Sequence, residues 1–146
     1  MKVKLLGVDY GEKNVGLALA TTPLAEPLEV VDTGQATKII FRLVRDNKID
    51  ALVVGLSEGE TEEKTKSFAE KIKQATGIPI YFQDETLSTQ ETEEKMLAGT
   101  VKKSVRRKPT DHFVATQILQ DFIDAYLPLE ELPKLDKIKD GKKAYV

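Results

Sequence analysis

The chain has no cysteine and a single histidine, His112, among its 146 residues. The absence of cysteine excludes disulfide bonds, thiolate metal sites and thiol nucleophiles. A single histidine excludes zinc sites built from several histidines and argues against a Ser-His-Asp triad. Any metal ion that this protein uses must therefore be bound by oxygen atoms, which favours Mg²⁺ or Mn²⁺.

Long apolar runs and an excess of one charge are also missing. No apolar run could cross a membrane, and the first predicted strand begins by Val3, which leaves no room for a signal peptide. We therefore expect a cytoplasmic protein without a membrane partner. The formal net charge is only −2, so any nucleic-acid binding would need a local basic patch. With 40% hydrophobic residues, the chain is expected to fold around one core.

The N-terminal segment places a carboxylate at the end of a strand. Two short hydrophobic runs flank a polar turn in residues 4–20, a pattern typical of a β-hairpin. Asp9 ends the first run, although aspartate is depleted from strands. Because Gly7, Gly11 and Gly16 lack side chains, a metal, a phosphate or backbone can approach closely. Asp9 is either a metal- or phosphate-handling carboxylate or a turn residue bonded to its own backbone.

The rest of the sequence alternates between helical and strand patterns. Further strands are predicted at 28–33, 51–56 and 78–82, and helices at 36–47, 61–76, 88–99 and 110–126. This order predicts an α/β fold with a mixed five-stranded sheet, in which three antiparallel strands precede the parallel ones, and with helices on its faces. We assign residues 1–127 to this domain and the charged residues 128–146 to a C-terminal tail.

Two further carboxylates fall where they could join Asp9. Glu85 lies between a predicted strand end and a helix start, and neighbouring Asp84 is its rival, because adjacent strand residues point to opposite faces. Asp111 opens the last predicted helix, in line with its core-facing stripe. That stripe consists of Ala115, Ile118 and Phe122. Three converging acids could hold two cations about 4 Å apart, as a two-metal phosphodiesterase requires.

Each of these acids also has a simpler interpretation. An acid in the first turn of a helix, such as Asp111, is favoured by the helix dipole. Glu85 could be a solvated acid in a loop. The segment before the last helix holds five cations in seven residues, which could contact phosphates or form only a solvated surface. These cations are Lys102, Lys103, Arg106, Arg107 and Lys108.

Four segments together resemble a known family. They are Gly7-Val-Asp-Tyr-Gly-Glu-Lys-Asn-Val-Gly-Leu-Ala18, Val53-Val-Gly-Leu56, Asp84-Glu-Thr-Leu-Ser-Thr89, and Arg106-Arg-Lys-Pro-Thr-Asp111 followed by Ala115 and Ile118-Leu119. In this order, over residues 3–127, they resemble the YqgF/RuvX family. This is the bacterial RuvC-like, RNase H-fold group associated with Holliday junction resolution and with maturation of the small-subunit ribosomal RNA precursor.

The resemblance implies an RNase H-like fold and a divalent-metal-dependent nuclease. It implies that Asp9, Glu85 and Asp111 are catalytic and bind Mg²⁺ or Mn²⁺, and it selects Glu85 over Asp84, which the strand pattern could not. The implied substrate is structured nucleic acid, most readily the 5′ end of precursor 16S rRNA, with pre-ribosomal particles as partners. The expected assembly is a monomer or a weak homodimer. Cleavage of Holliday junctions, a branched DNA, is the alternative.

The sequence departs from the family at three positions. Thr86 replaces an arginine, so a cation that could orient a phosphate is missing. Ser57 replaces a proline, and Thr110 replaces an aliphatic residue. Two other classes of function stay open: a non-catalytic nucleic-acid binding module, and an actin-like phosphotransferase or ATPase, which shares a similar Asp-x-Gly hairpin.

Overall fold

The computed structural model describes residues 3–56, 60–84 and 110–126. Five strands form one sheet: β1 (Leu5–Tyr10), β2 (Asn14–Ala20), β3 (Glu26–Asp32), β4 (Ala51–Leu56) and β5 (Ile80–Asp84). The helices are α1 (Thr33–Asn47), α2 (Glu60–Thr76) and α3 (Thr110–Tyr126). None of the helices described here is long and apolar enough to cross a membrane.

The strands lie in the order β3-β2-β1-β4-β5. β1 pairs antiparallel with β2, and β2 pairs antiparallel with β3. β4 pairs parallel with β1, and β5 pairs parallel with β4. The predicted mixed sheet is therefore confirmed, and β1 is its central strand.

Helices cover both faces of this sheet, as predicted. Successive strand side chains point to opposite faces, so β1 contributes to two hydrophobic cores. Leu5 packs with α3 in one core, whereas Leu6 and Val8 pack with α1 and α2 in the other. The apolar strand β4 is buried along its length, as a parallel strand between two helical layers must be.

The start of α1 differs from the predicted boundary because the sequence contains an N-cap that periodicity does not show. Residues 28–33 were expected to be a strand and 36–47 a helix, but β3 ends at Asp32 and α1 begins at Thr33. The Asp32 carboxylate accepts a hydrogen bond from the Gly34 N–H at 3.2 Å. This cap satisfies a backbone donor that the first turn of a helix leaves without a partner.

The predicted range 78–82 for the last strand is wrong by two residues at each end. Gly77 has a φ of +72°, so the chain is still leaving α2 at this point. β5 then pairs with β4 as far as the Asp84–Leu56 pair. Backbone pairing does not depend on side-chain polarity, so the strand continues past its last apolar residue, Phe82. The predicted helix 88–99 and the tail 128–146 lie outside the described residues.

α3 crosses the sheet antiparallel to β1. The Gln120 side chain accepts from the Ala25 N–H at 2.8 Å and donates to the Pro23 carbonyl at 2.9 Å. That loop follows Ala20, which pairs with Leu5 at the start of β1. The C-terminal half of α3 therefore lies near the start of β1, and the first turn of α3 is directed toward the end of β1.

Candidate active site at the carboxyl end of the central strand

Asp9 is the second-to-last residue of β1, and its side chain lies on the face of the sheet that α3 covers. Its neighbour Val8 packs into the core of α1 and α2, and strand alternation turns Asp9 to the other side. The residue is half-buried, so its carboxylate lies at the border between core and solvent. Such a position is suited to a group that must meet both a cation and a large substrate.

Asp9 stands between two glycines in one row across the sheet. It pairs with Gly16 of β2. On the other side the pairing of β1 with β4 ends at Val8–Val54, and Asp9 and Gly55 are the next residues of these two strands. Neither glycine has a side chain that would lie beside the carboxylate. The row continues to Gln83 of β5, which pairs with Gly55.

Gly7 allows α3 to lie close against β1. A Cβ added at Gly7 would be 2.9 Å from the Cβ of Leu119 and 3.0 Å from the carbonyl oxygen of Ala115. Only glycine fits beneath the helix at this point. Asp111 is one helical turn before Ala115, so the same close contact sets where the first turn of α3 lies.

Gly11 is needed by the hairpin turn itself. A Cβ at this position would be 2.6 Å from the carbonyl oxygen of Asn14. The Thr33 hydroxyl donates to the Gly11 carbonyl at 2.7 Å, and the Thr33 N–H donates to the Lys13 carbonyl at 2.9 Å. The start of α1 therefore holds this turn in place, two residues after Asp9.

An ion pair links the same turn to α2. The Lys64 Nζ lies 2.6 Å from the Glu12 Oε1, and this hydrogen bond and charge lower the pKa of Glu12 below its ordinary value. Because the folded-state pKa is lowered, the stabilisation is present above the ordinary pKa and is lost as the pH falls through the folded value. Both side chains are more than half exposed, so the effect is small.

The other predicted site residues lie at the edges of what the structure describes. Glu85 follows β5 directly and is outside the described residues, as are the five cations of 102–108. Asp111 lies in the first turn of α3, but its side chain is not described. Within 3–56, 60–84 and 110–126, no group of three or more histidine, aspartate or glutamate side chains could hold a metal ion.

The sequence patterns missed Gln83 and Gly55. Gln83 was placed after the last strand, but it lies inside β5 and is only 8% exposed. Its Oε1 atom has no hydrogen-bond partner among the described residues. For Gly55 a signal was available in the sequence, because a glycine inside an otherwise apolar strand often marks a site where a ligand or another backbone approaches the sheet closely.

The fold is that of RuvC, a member of the RNase H-like class. A structure of Thermus thermophilus RuvC in complex with a Holliday junction substrate matches with a TM-score of 0.57 and 17% identity, over 84% of this chain and 95% of that one. A second structure of Thermus thermophilus RuvC matches with a TM-score of 0.55 and 16% identity, over 84% and 96%.

The chain belongs to the RuvX family. The family model described as "RuvX: Holliday junction resolvase" matches residues 3–125. A relative from Syntrophus aciditrophicus (strain SB) is 36% identical over 146 residues, covering 90% of this chain and 94% of the relative. One from Roseiflexus sp. (strain RS-1) is 35% identical over 133 residues, covering 84% and 94%. Both relatives bear the name "Putative pre-16S rRNA nuclease". The resemblance seen in the motifs is confirmed, and the chain is a hydrolase of phosphodiester bonds.

Proposed function

We propose that this protein is a divalent-metal-dependent nuclease whose active site consists of Asp9, Glu85 and Asp111. One observation carries the proposal: Asp9 lies half-buried at the end of the central strand, on the face toward which the first turn of α3 is directed. Carboxylate oxygens are the ligands that Mg²⁺ and Mn²⁺ prefer. The three acids would hold the cations at this edge of the sheet.

The chain path supports the convergence of the three acids. β1 and β5 both run parallel to β4, so their carboxyl ends meet at one edge of the sheet, where ligands of such folds collect. Glu85 is the first residue after β5. Asp111 falls on the helix stripe of Ala115, Ile118 and Phe122, all of which are fully buried against the sheet.

The surroundings of Asp9 fit a cation. The glycines at 16 and 55 place no side chain next to the carboxylate, and Gln83 brings a buried amide oxygen without a partner among the described residues. Bound cations would activate a water molecule and stabilise the departing oxygen of the phosphodiester. The chain itself binds the cations through Asp9 and its partner acids, and the hairpin and α3 fix where those acids lie.

For the substrate, we propose precursor 16S rRNA cleaved at its 5′ end, within pre-ribosomal particles. The relatives that share about a third of this sequence carry that substrate in their name. A Holliday junction is the second candidate, because the matching family model names this substrate and one of the similar RuvC structures is a complex with it. We propose that the protein acts as a monomer or weak homodimer.

The two substrates can be compared directly with the purified protein. A precursor 16S rRNA with its 5′ extension and a four-way DNA junction are incubated with Mg²⁺ or Mn²⁺ and, in parallel, with chelator. We expect cleavage of the RNA that stops in chelator. Cleavage of the junction alone would contradict the RNA substrate and favour the Holliday junction. Cleavage that persists in chelator would contradict the proposed dependence on a divalent metal.

Without metal, Asp9→Asn is expected to melt at a higher temperature than the wild type. Clustered carboxylates repel one another when no cation lies between them, and removing such a conflict commonly stabilises a protein by about 0.5–2 kcal/mol. Thermal melts in chelator measure the difference. Asp46→Asn is the matched control, because it removes the same charge from an exposed carboxylate paired with Arg45. A midpoint for Asp9→Asn that is not above that of the wild type would contradict a tight acidic cluster.

Replacing Arg106, Arg107 and Lys108 with alanine is expected to weaken nucleic-acid binding without removing cleavage. Each lost phosphate contact should lower the log–log salt slope of the affinity by up to about one unit, whatever the sequence bound. Cleavage at saturating substrate should change much less, because the proposed metal ligands remain. Binding titrations at several salt concentrations measure the slope.

A control with the same charge change is available on the face of the sheet opposite Asp9. Lys38, Arg42 and Arg45 are exposed on α1, away from Asp9. Replacing these three with alanine should leave the salt slope closer to that of the wild type. If both triple variants lowered the slope equally, the cations of 102–108 would contribute only general charge.

A further inference from the structure

Gln83 is a buried polar residue that is not among the three acids proposed as metal ligands. It lies in β5 and is 8% exposed, and its Oε1 has no hydrogen-bond partner among the described residues. Buried amide oxygens are nearly always hydrogen-bonded, because leaving one without a partner costs the free energy of its desolvation. An exception such as this one points to a ligand that satisfies the oxygen.

The sheet turns Gln83 toward the same side as Asp9. Tyr81 packs against Phe122 of α3, with ring centroids 5.4 Å apart, whereas Phe82 packs in the opposite core. Strand alternation therefore places Gln83 on the α3 face. Gln83 pairs with Gly55, and Asp9 and Gly55 each follow directly on the Val8–Val54 pair of the neighbouring parallel strands.

Gly55 pairs with Gln83 and carries no side chain. The Cα atoms of Asp9 and Gln83 are two strand spacings apart, about 10 Å. Because Gly55 has no side chain, no side chain of this residue stands between the Asp9 carboxylate and the Gln83 amide. The row also lies at the carboxyl ends of the parallel strands, where such sheets bind ligands.

A comparison with Gln120 shows how a purely structural amide is used in this protein. On the same face of the sheet, Gln120 accepts from the Ala25 N–H and donates to the Pro23 carbonyl. Its amide thus fastens α3 to a loop. The Gln83 oxygen makes no such bond to the described part of the chain.

We propose that Gln83 is a further ligand of the cation site, with its amide oxygen directed at a divalent cation that Asp9 also holds. The inference rests on the proposed function. Amide oxygens bind hard cations directly or through an ordered water molecule. As a neutral donor, Gln83 adds an oxygen ligand without adding negative charge that would repel the other acids or a phosphate.

The test measures Mn²⁺ affinity by titration calorimetry and by the electron paramagnetic resonance signal of free Mn²⁺, independently of any cleavage. Gln83→Leu keeps the side chain's bulk but removes the oxygen, and we expect Mn²⁺ to bind about tenfold more weakly or worse. The same variant should melt in chelator at or above the wild-type temperature, because the oxygen without a partner is gone. Gln83→Glu restores an oxygen and should bind Mn²⁺ at least as tightly as the wild type.

Gln120→Leu is the matched control. It removes an amide with three hydrogen bonds to the chain. It should therefore lower the melting temperature and leave the Mn²⁺ affinity within about twofold, since no cation contact is lost. Gln83→Leu behaving in the same way would show that Gln83 is only a structural residue and would overturn the inference. Should Gln83→Leu fail to fold, Gln83→Glu decides, and Mn²⁺ binding weaker than in the wild type would overturn the inference.

Asp9→Asn separates this inference from the proposed function. If Asp9→Asn binds Mn²⁺ as tightly as the wild type, the metal site itself is wrongly placed and the proposed function fails. If Asp9→Asn loses Mn²⁺ while Gln83→Leu binds it normally, only the role of Gln83 is overturned. Loss of affinity in both variants, with recovery in Gln83→Glu, supports the inference.

Discussion

Asp9→Asn is expected to lower metal-dependent cleavage by more than about a hundredfold. Loss of a group that merely supports a metal ligand commonly costs 10–100-fold, so loss of a ligand's charge should cost more. The amide has nearly the same shape as the carboxylate but lacks the charge that holds the cation. The strand pairing of Asp9 with Gly16 uses backbone atoms, so the fold should be unaffected.

The measurement is the single-turnover cleavage rate across a Mn²⁺ titration, with thermal melts to verify folding. Recovery of the rate at high Mn²⁺ would assign the defect to cation affinity, whereas a low plateau would assign it to the chemical step. Asp46→Asn again removes one exposed charge and should cleave as the wild type does. Undiminished cleavage by pure Asp9→Asn would show that the activity comes from another site or a contaminant.

Side-chain patterns predicted the central part of the fold because its strands are short apolar runs bounded by polar turns and its last helix repeats apolar residues at helical spacing. The hairpin around Asp9, the buried strand β4 and the helix α3 lie where the sequence placed them. The end of β5 was missed because its last two residues, Gln83 and Asp84, are polar. Their place in the sheet is set by backbone pairing with Gly55 and Leu56, and the hydropathy of the side chains does not predict that pairing.

The candidate site was only partly accessible to the same reasoning. Asp9 stood out because a carboxylate ending a strand is unusual. The choice of Glu85 over Asp84 came from the family resemblance, since alternation cannot choose between neighbours unless the end of the strand is known. Gln83 was missed for the same reason. The role of Gly7 could not be read locally, because the atoms that require a glycine there belong to α3.

Gly7→Ala is expected to destabilise the protein by about 1–3 kcal/mol, the usual cost of forcing an extra methyl group into a packed core. The new Cβ would meet the Cβ of Leu119 and the carbonyl oxygen of Ala115, at 2.9 and 3.0 Å. Neither atom is the free end of a flexible side chain, so the helix itself must move away from β1. Thermal and urea denaturation measure the loss.

The matched control is Gly34→Ala in the first turn of α1. There the added Cβ would meet only the Asp32 Oδ2 at 3.1 Å. This oxygen ends a side chain and needs to shift by only a few tenths of an ångström, so it can keep its hydrogen bond to the Gly34 N–H. Alanine also favours the helix over glycine by roughly 1 kcal/mol, so this variant should be as stable as the wild type or slightly more stable. Equal destabilisation of both variants would mean that the contact beneath α3 is not tight.

The same Gly7→Ala substitution tests whether α3 positions Asp111. A shift of about 1 Å in a group that must meet a cation or substrate can cost about a hundredfold in rate. Cleavage by Gly7→Ala, measured at a temperature where the variant is fully folded, should therefore fall by about tenfold to a hundredfold. Gly34→Ala, with its helix on the other face, should cleave normally. If Gly7→Ala were less stable but cleaved at the wild-type rate, the position of α3 would not matter to the reaction. Asp111 would then be an acid placed at the start of a helix by the helix dipole alone.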